Sequence, residues 1–162
     1  MGILRSIVAG IFSLGLILTV AVAHVLRVSK ETLFEREVGY ELLMELGLTQ
    51  SQLGMATTAF ILGSVVLVGL IFLVSGSIAT TARSLGVSLV VAGLPVYAVA
   101  YVLKNRPEAV MQSLSYDLQN FVLELSDFTA PFIDTVSQQS LTVFVAGVAL
   151  LVVARVLGAA SS

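Results

Sequence analysis

Four long apolar stretches set the hydrophobic pattern of this chain. No charged residue falls between Arg5 and Arg27, between Glu45 and Arg83, between Arg83 and Lys104, or between Asp134 and Arg155. A helix needs roughly 20 mostly apolar residues to cross a bilayer. The pattern predicts spans near 5–27, 54–75, 84–104 and 138–157, the second and fourth inside longer helices over 49–75 and 131–157. The second helix has the clearest start. Thr49 and Gln52 stand at capping-box spacing, and Leu48 and Leu53 at the positions of a hydrophobic staple. It should end near Ser75-Gly76, and the short linker 77–82 makes spans two and three antiparallel neighbours. Pro95, inside the third span, predicts a kink near Leu94.

Between the spans the pattern turns amphipathic. Phe34, Val38, Leu42 and Leu46 form an i, i+4 stripe. They predict outer helices over 31–46, capped by Ser29, hinged at Gly39 and closed by Gly47. After Asn105-Arg106-Pro107, the residues Met111, Leu114, Leu118, Phe121, Leu125 and Phe128 alternate spacings of three and four. They predict an amphipathic helix over 107–128. Its polar face is acidic, whereas interfacial helices usually carry Lys and Arg, so packing against protein is the better expectation. Thr129, Ala130 and Pro131 mark a break before the last helix.

The two halves of the chain echo each other. The stretch from Ala21 to Arg27 (AVAHVLR) returns 77 positions later from Ala98 to Lys104 (AVAYVLK), with five identities, Lys for Arg and Tyr for His. Arg5-Ser6 pairs with Arg83-Ser84, Gly15-Leu16 with Gly93-Leu94, and Phe60 to Gly63 with Phe144 to Gly147. Val38 to Leu42 also reads against Leu114 to Leu118, and the matches keep their order while the offset drifts between 76 and 84. A tandem repeat is therefore expected, 1–78 and 79–162, each half reading span, outer helix, span. Two spans return the chain to its starting side, so the repeats would be parallel, about a pseudo-two-fold axis along the membrane normal.

Composition strengthens the membrane assignment. The chain of 162 residues is 57% hydrophobic and 11% charged, with mean hydropathy +1.04, against about 25% charged in soluble domains. There is no cysteine, which excludes disulfides, thiol catalysis and Cys-ligated metals. A net charge of −2 with no Lys/Arg-rich run gives no footing for nucleic acid. Arg5, the apolar run and Ala21-Val22-Ala23 also resemble a cleavable export signal. The same Ala-Val-Ala at 98–100, inside the chain, favours an uncleaved span.

Charge also bears on orientation. All ten carboxylates lie in 27–53 and 104–137, which carry a net −5, while the termini and the 76–83 turn hold Arg5, Arg83 and Arg155 and no acid. Net charge puts the termini in the cytoplasm and the acidic loops outside. A count of Lys and Arg alone points the other way. Resemblance of the first span to an export signal tips the expectation to a multi-pass cell-membrane protein with cytoplasmic termini.

Candidate chemistry is sparse. His24 is the sole histidine and cannot build a metal or haem site alone. Its counterpart Tyr101 points to an interface-seeking aromatic position. Glu37, Glu41 and Glu45 recur every four residues as a solvated acidic face rather than a cation site. No predicted span carries Asp, Glu, Lys or Arg in its interior, which weighs against ion-coupled transport. No G-x-S-x-G, P-loop or H-E-x-x-H is present. Four spans with large outer loops resemble claudins and tetraspanins in outline. Both depend on loop cysteines, so this chain is assigned to neither.

The sequence thus predicts an all-α integral membrane protein, a four-helix bundle of two hairpins capped on one side by amphipathic helices. Gly10, Gly15, Gly63, Gly93 and Gly147, with an Ala154/Gly158 pair, would let helices approach. The expected role is non-enzymatic: a structural, scaffolding or accessory subunit, without cofactor or metal. Its partners would be the bilayer and other membrane proteins or a second copy. The alternative is a small channel or carrier with its path at Pro95, Tyr97, Tyr101 and His24. A variant of it binds an apolar ligand or lipid beneath the cap at Leu118, Phe121 and Leu125.

Overall fold

A computed structural model describes residues 2–34, 47, 49–105 and 126–160. The described chain is helical: α1 (Gly2–Phe34), α2 (Gln50–Ser75), α3 (Ile78–Asn105) and α4 (Ser126–Ala160). Each contains a segment long and apolar enough to cross a membrane. At 1.5 Å per residue, the 26 residues of α2 reach about 39 Å, more than the hydrocarbon thickness. Large apolar side chains such as Ile3, Leu18, Leu73 and Val156 are mostly exposed. A bilayer is the solvent that accommodates such a surface, and the chain is a membrane protein.

The cap of α2 forms as the sequence predicts. Thr49 Oγ1 accepts from the Gln52 backbone N–H at 3.3 Å, and Gln52 Oε1 accepts from the Thr49 N–H at 2.9 Å. At the far end Gly76 adopts φ 63°, and its N–H donates to Phe72 O at 2.7 Å. A residue with a Cβ is strained in that left-handed conformation. Only Gly76 and Ser77 separate α2 from α3. Ser77 Oγ accepts from the Thr80 N–H at 3.3 Å and caps α3, so α3 begins six residues before the predicted 84.

Two further boundaries differ from expectation. The chain does not break after Arg27 with Ser29 as a new cap, because α1 continues to Phe34. No Gly or Pro interrupts 27–34, and Arg27 Nε donates to Glu31 Oε1 at 2.9 Å across one turn. Likewise Thr129 to Pro131 do not separate two helices, since α4 runs from Ser126 through Pro131. Pro131 forgoes one intrahelical hydrogen bond there, and the helix continues through it. Helix α3 also passes unbroken through Pro95. Most of the expected outer helix 31–46 and of the amphipathic helix 107–128, with Leu118, Phe121, Leu125 and the Glu37/Glu41/Glu45 face, lies outside the described residues.

The helices form two hairpins, α1 with α2 and α3 with α4, joined mainly by α1 against α3. Helices α2 and α4 take opposite flanks. The larger core sits where α1, α2 and α3 meet, with Leu16, Val20, Ile71 and Ala92 packed on Phe12, Leu67 and Leu89. A second cluster, Val28, Ala100 and Val136, lies nearer the loop end, the end of the bundle at Phe34, Gln50, Asn105 and Ser126. We call the opposite end, at the Gly76 connection, the turn end.

Helix α3 meets α4 through small residues at every seventh position. Gly86, Gly93 and Ala100 are buried on α3, and Ser140, Gly147 and Ala154 on α4. A Cβ built on Gly93 would stand 2.7 Å from both Ser140 O and Phe144 N, and one on Gly147 2.8 Å from Val90 N. Backbone therefore lies against backbone, as small residues permit in membranes. The seven-residue period keeps this narrow face turned to one partner along the helix. Of the other glycines expected at close approaches, Gly10, Gly63 and Gly158 would meet nothing within 4 Å, and Gly15 would meet only the Leu67 side chain.

Candidate functional site: a buried polar junction

His24 faces into the bundle. Val20, Ala23, His24 and Val28 make the buried face of α1, and His24 is 6% exposed. Its Nε2 lies 2.9 Å from Ser140 Oγ on α4; which atom donates follows the histidine tautomer. Ser140 is fully buried, and its carbonyl is the atom that presses on Gly93 of α3. The polar pair thus sits at the notch where α1, α3 and α4 meet.

Toward the loop end a second polar level follows. Gln139 Nε2 donates to Glu31 Oε2, and Glu31 Oε1 accepts from Arg27. Gln139 Oε1 is buried without a partner among the described residues. Lys104 Nζ and Asp134 Oδ1 pair at 2.6 Å between α3 and α4, both about half exposed. The three contacts His24–Ser140, Glu31–Gln139 and Lys104–Asp134 bind α4 to α1 and to α3 on the loop side of the core.

A serine hydrogen-bonded to a histidine is half of a nucleophilic triad. Here the Ser140 hydroxyl has no exposed surface, so no carbonyl carbon can come within bonding distance of it. The pair instead joins helices, the usual service of a polar contact in an apolar surrounding. Among the described residues no group of three His, Asp or Glu side chains is placed to hold a metal.

The residues proposed for a path do not gather. Tyr101 is 53% exposed, while His24, its sequence counterpart, is buried, so the two do not share an interfacial environment. Tyr97 and Tyr101 stack on each other one turn apart, ring centroids 6.0 Å and planes 40° apart. Pro95 lies instead in an apolar groove of about 320 Å³ between α3 and α4, with Val99, Leu103, Ile133 and Val136.

The residues missed by sequence reasoning are Ser140, Gln139 and Asp134. The polar run Ser137-Gln138-Gln139-Ser140 at the mouth of the last span was the available signal, read only as a boundary. Nothing local marks Ser140 as the partner of a residue 116 positions away. No family model matches the chain, and neither a curated protein nor a solved structure matches it.

Proposed function

We propose that this chain is a non-enzymatic, multi-pass membrane protein with a structural, scaffolding or accessory-subunit role. The observation that carries the reading is the filling between the hairpins. Leu16, Val20, Ile71 and Ala92 are all buried, Leu16 and Ile71 completely. Apolar side chains thus fill the junction of α1, α2 and α3, and this filling supports a structural role over a central path. The broad apolar exterior supplies surface for lipid and for neighbouring helices.

In this reading the bundle is a tandem repeat of two parallel hairpins. Packing of α1 on α2 and of α3 on α4, with α1 against α3 between them, supports that arrangement. The acidic loops 27–53 and 104–137 supply the charge through which partners are engaged. The termini and the Gly76 turn face the cytoplasm of a cell-membrane protein, and the acidic loops lie outside. A second reading, an apolar ligand or acyl chain, is favoured by the groove at Pro95, whose walls are apolar.

Reconstitution tests the reading directly. In liposomes the protein should leave ion and solute permeability at the level of empty vesicles. By light scattering in mild detergent it should have a protein mass above the 17.0 kDa of one chain, alone or with a stoichiometric partner. Measurable flux, or a strictly monomeric and partnerless protein, would overturn it.

A further inference from the structure

At the turn end α3 and α4 border a groove of about 590 Å³. Its walls include Ser77, Thr80 and Arg83 from the start of α3, and Leu151, Ala154 and Arg155 from the end of α4. The antiparallel register sets Gly86 against Leu151. One turn further along, it brings Arg83 and Arg155 to one level. Both are exposed, and among the described residues neither is in an ion pair. Every acidic residue of the chain lies within 31–45 or 108–134. The nearest one along α4, Asp134, is about 31 Å from Arg155 at 1.5 Å per residue. Two arginines thus line one groove with no acidic side chain among the described residues to offset them.

The other walls fit the missing anion. Ser77, whose hydroxyl caps α3, marks the positive end of a 28-residue helix. Guanidinium groups bind phosphate oxygens in a forked, charge-assisted geometry. Leu151 and Ala154 add an apolar wall that continues into the exposed Val152 and Val156. Such a wall suits glycerol and the first acyl carbons, and a free anion has no use for it. The geometry points to a binding site for a phosphate-bearing anion between Arg83 and Arg155, supplied by an anionic phospholipid headgroup. Basic pockets between helix ends serve this purpose in other membrane proteins. The site lies at the opposite end of the bundle from the loop end and does not depend on the scaffold reading.

A neighbouring groove at the same end, which shares Thr80 with the first but presents Arg5 with Ser6, Ser13 and Ser75 in place of the two arginines, provides the control. The full chain in detergent is titrated with phosphatidylglycerol, phosphatidylcholine or inorganic phosphate. Thermal midpoint and lipid retained in native mass spectrometry are both read. Phosphatidylglycerol should raise the midpoint and remain bound, and phosphatidylcholine should do neither. Arg155→Gln should weaken phosphatidylglycerol binding about tenfold, the effect of losing hydrogen bonds to a charged group. Arg5→Gln removes the same charge from the same end and should leave binding within about twofold, because diffuse surface charge contributes little at physiological salt. Arg83→Gln reads the same groove from α3 if Arg155→Gln does not fold. Equal losses for Arg5→Gln and Arg155→Gln, or equal binding of the two lipids, overturn the site. Inorganic phosphate that stabilises as strongly as phosphatidylglycerol would overturn the lipid source and leave these residues a site for soluble phosphate.

Discussion

In the hairpin of α1 and α2, helices are held at a distance by side chains: Leu67 fills the space over Gly15, and Leu16 and Ile71 are completely buried. In the hairpin of α3 and α4 the same job falls to residues that have almost no side chain. Gly86, Gly93 and Gly147 let main chains approach until a single Cβ would stand under 3.0 Å from backbone atoms. Sequence counterparts make the contrast direct. Gly15 answers to Gly93 and Gly63 to Gly147, yet only the second member of each pair lies against backbone. If one ancestral hairpin was doubled, its copies have taken different packing solutions. The difference matters because lipid tails are as apolar as leucine, so burial itself drives little association in a bilayer. What remains is close packing and polar contact, and α4 holds most of both.

The sharpest way to break this contrast is to add one methyl group to each hairpin. Gly93→Ala puts a Cβ 2.7 Å from two backbone atoms that cannot turn aside. It should cost about 3 kcal/mol, the upper end for overpacking, and Gly147→Ala nearly as much. Gly63→Ala meets nothing within 4 Å and should be neutral or slightly stabilising, since alanine is the better helix former. Unfolding in mixed micelles by titration with a denaturing detergent reads all three. Equal effects at Gly63 and Gly93 would mean that the hairpins pack alike.

The complementary change removes bulk. Leu16→Ala empties a fully buried position at the junction of α1, α2 and α3. In water such a truncation costs 2–5 kcal/mol, part transfer and part cavity. In a bilayer the transfer part largely disappears, so about 2 kcal/mol is expected in the same titration. A loss well above that of Gly93→Ala would reverse the ranking of the two hairpins.

The polar junction gives a smaller and more specific number. Comparison of His24→Leu, Ser140→Ala and the double variant should give a coupling of about 0.6–1.7 kcal/mol, the range for hydrogen bonds between membrane helices. The first hairpin has a hydroxyl contact of its own, Ser64 Oγ to Thr19 Oγ1 at 3.1 Å. Both hydroxyls also bond back to their own helices, at Phe60 O and Gly15 O, so Thr19→Val and Ser64→Ala should couple more weakly than the His24–Ser140 pair. Equal coupling would remove the special standing of α4.

Much of this architecture was legible along the chain because it is written locally. Four charge-free runs announced four helices, and Thr49 with Gln52 announced a cap that forms with both of its hydrogen bonds. Elsewhere local punctuation does not mark a helix end. Ser29 resembles a cap and Thr129 to Pro131 a break, but α1 and α4 run through them. The spacing of Gly86, Gly93 and Ala100 by sevens, and of Ser140, Gly147 and Ala154, was on the page as well. It gains meaning only when the two series are set antiparallel. His24 shows the limit most clearly. Its repeat relation to Tyr101 argued for an interfacial ring, whereas its burial depends on how α1 is rotated against α4, which no local pattern encodes.

Among the contacts between helices, the smallest effect is expected at the one that would be the strongest in a vacuum. Lys104 and Asp134 pair at 2.6 Å across α3 and α4, but both side chains are more than half exposed. Solvent and salt screen such a pair, and holding two side chains in one geometry costs entropy, so its worth is about 0–1 kcal/mol. Lys104→Gln should therefore shift the unfolding midpoint less than Gly93→Ala or Leu16→Ala, and the shift should fade as salt is raised towards 1 M. The contrast between hairpins depends on that result. If Lys104→Gln were to match Gly93→Ala, the second hairpin would be held at its loop end by charge, and the close approach of its backbones would follow from the ion pair rather than from the glycines.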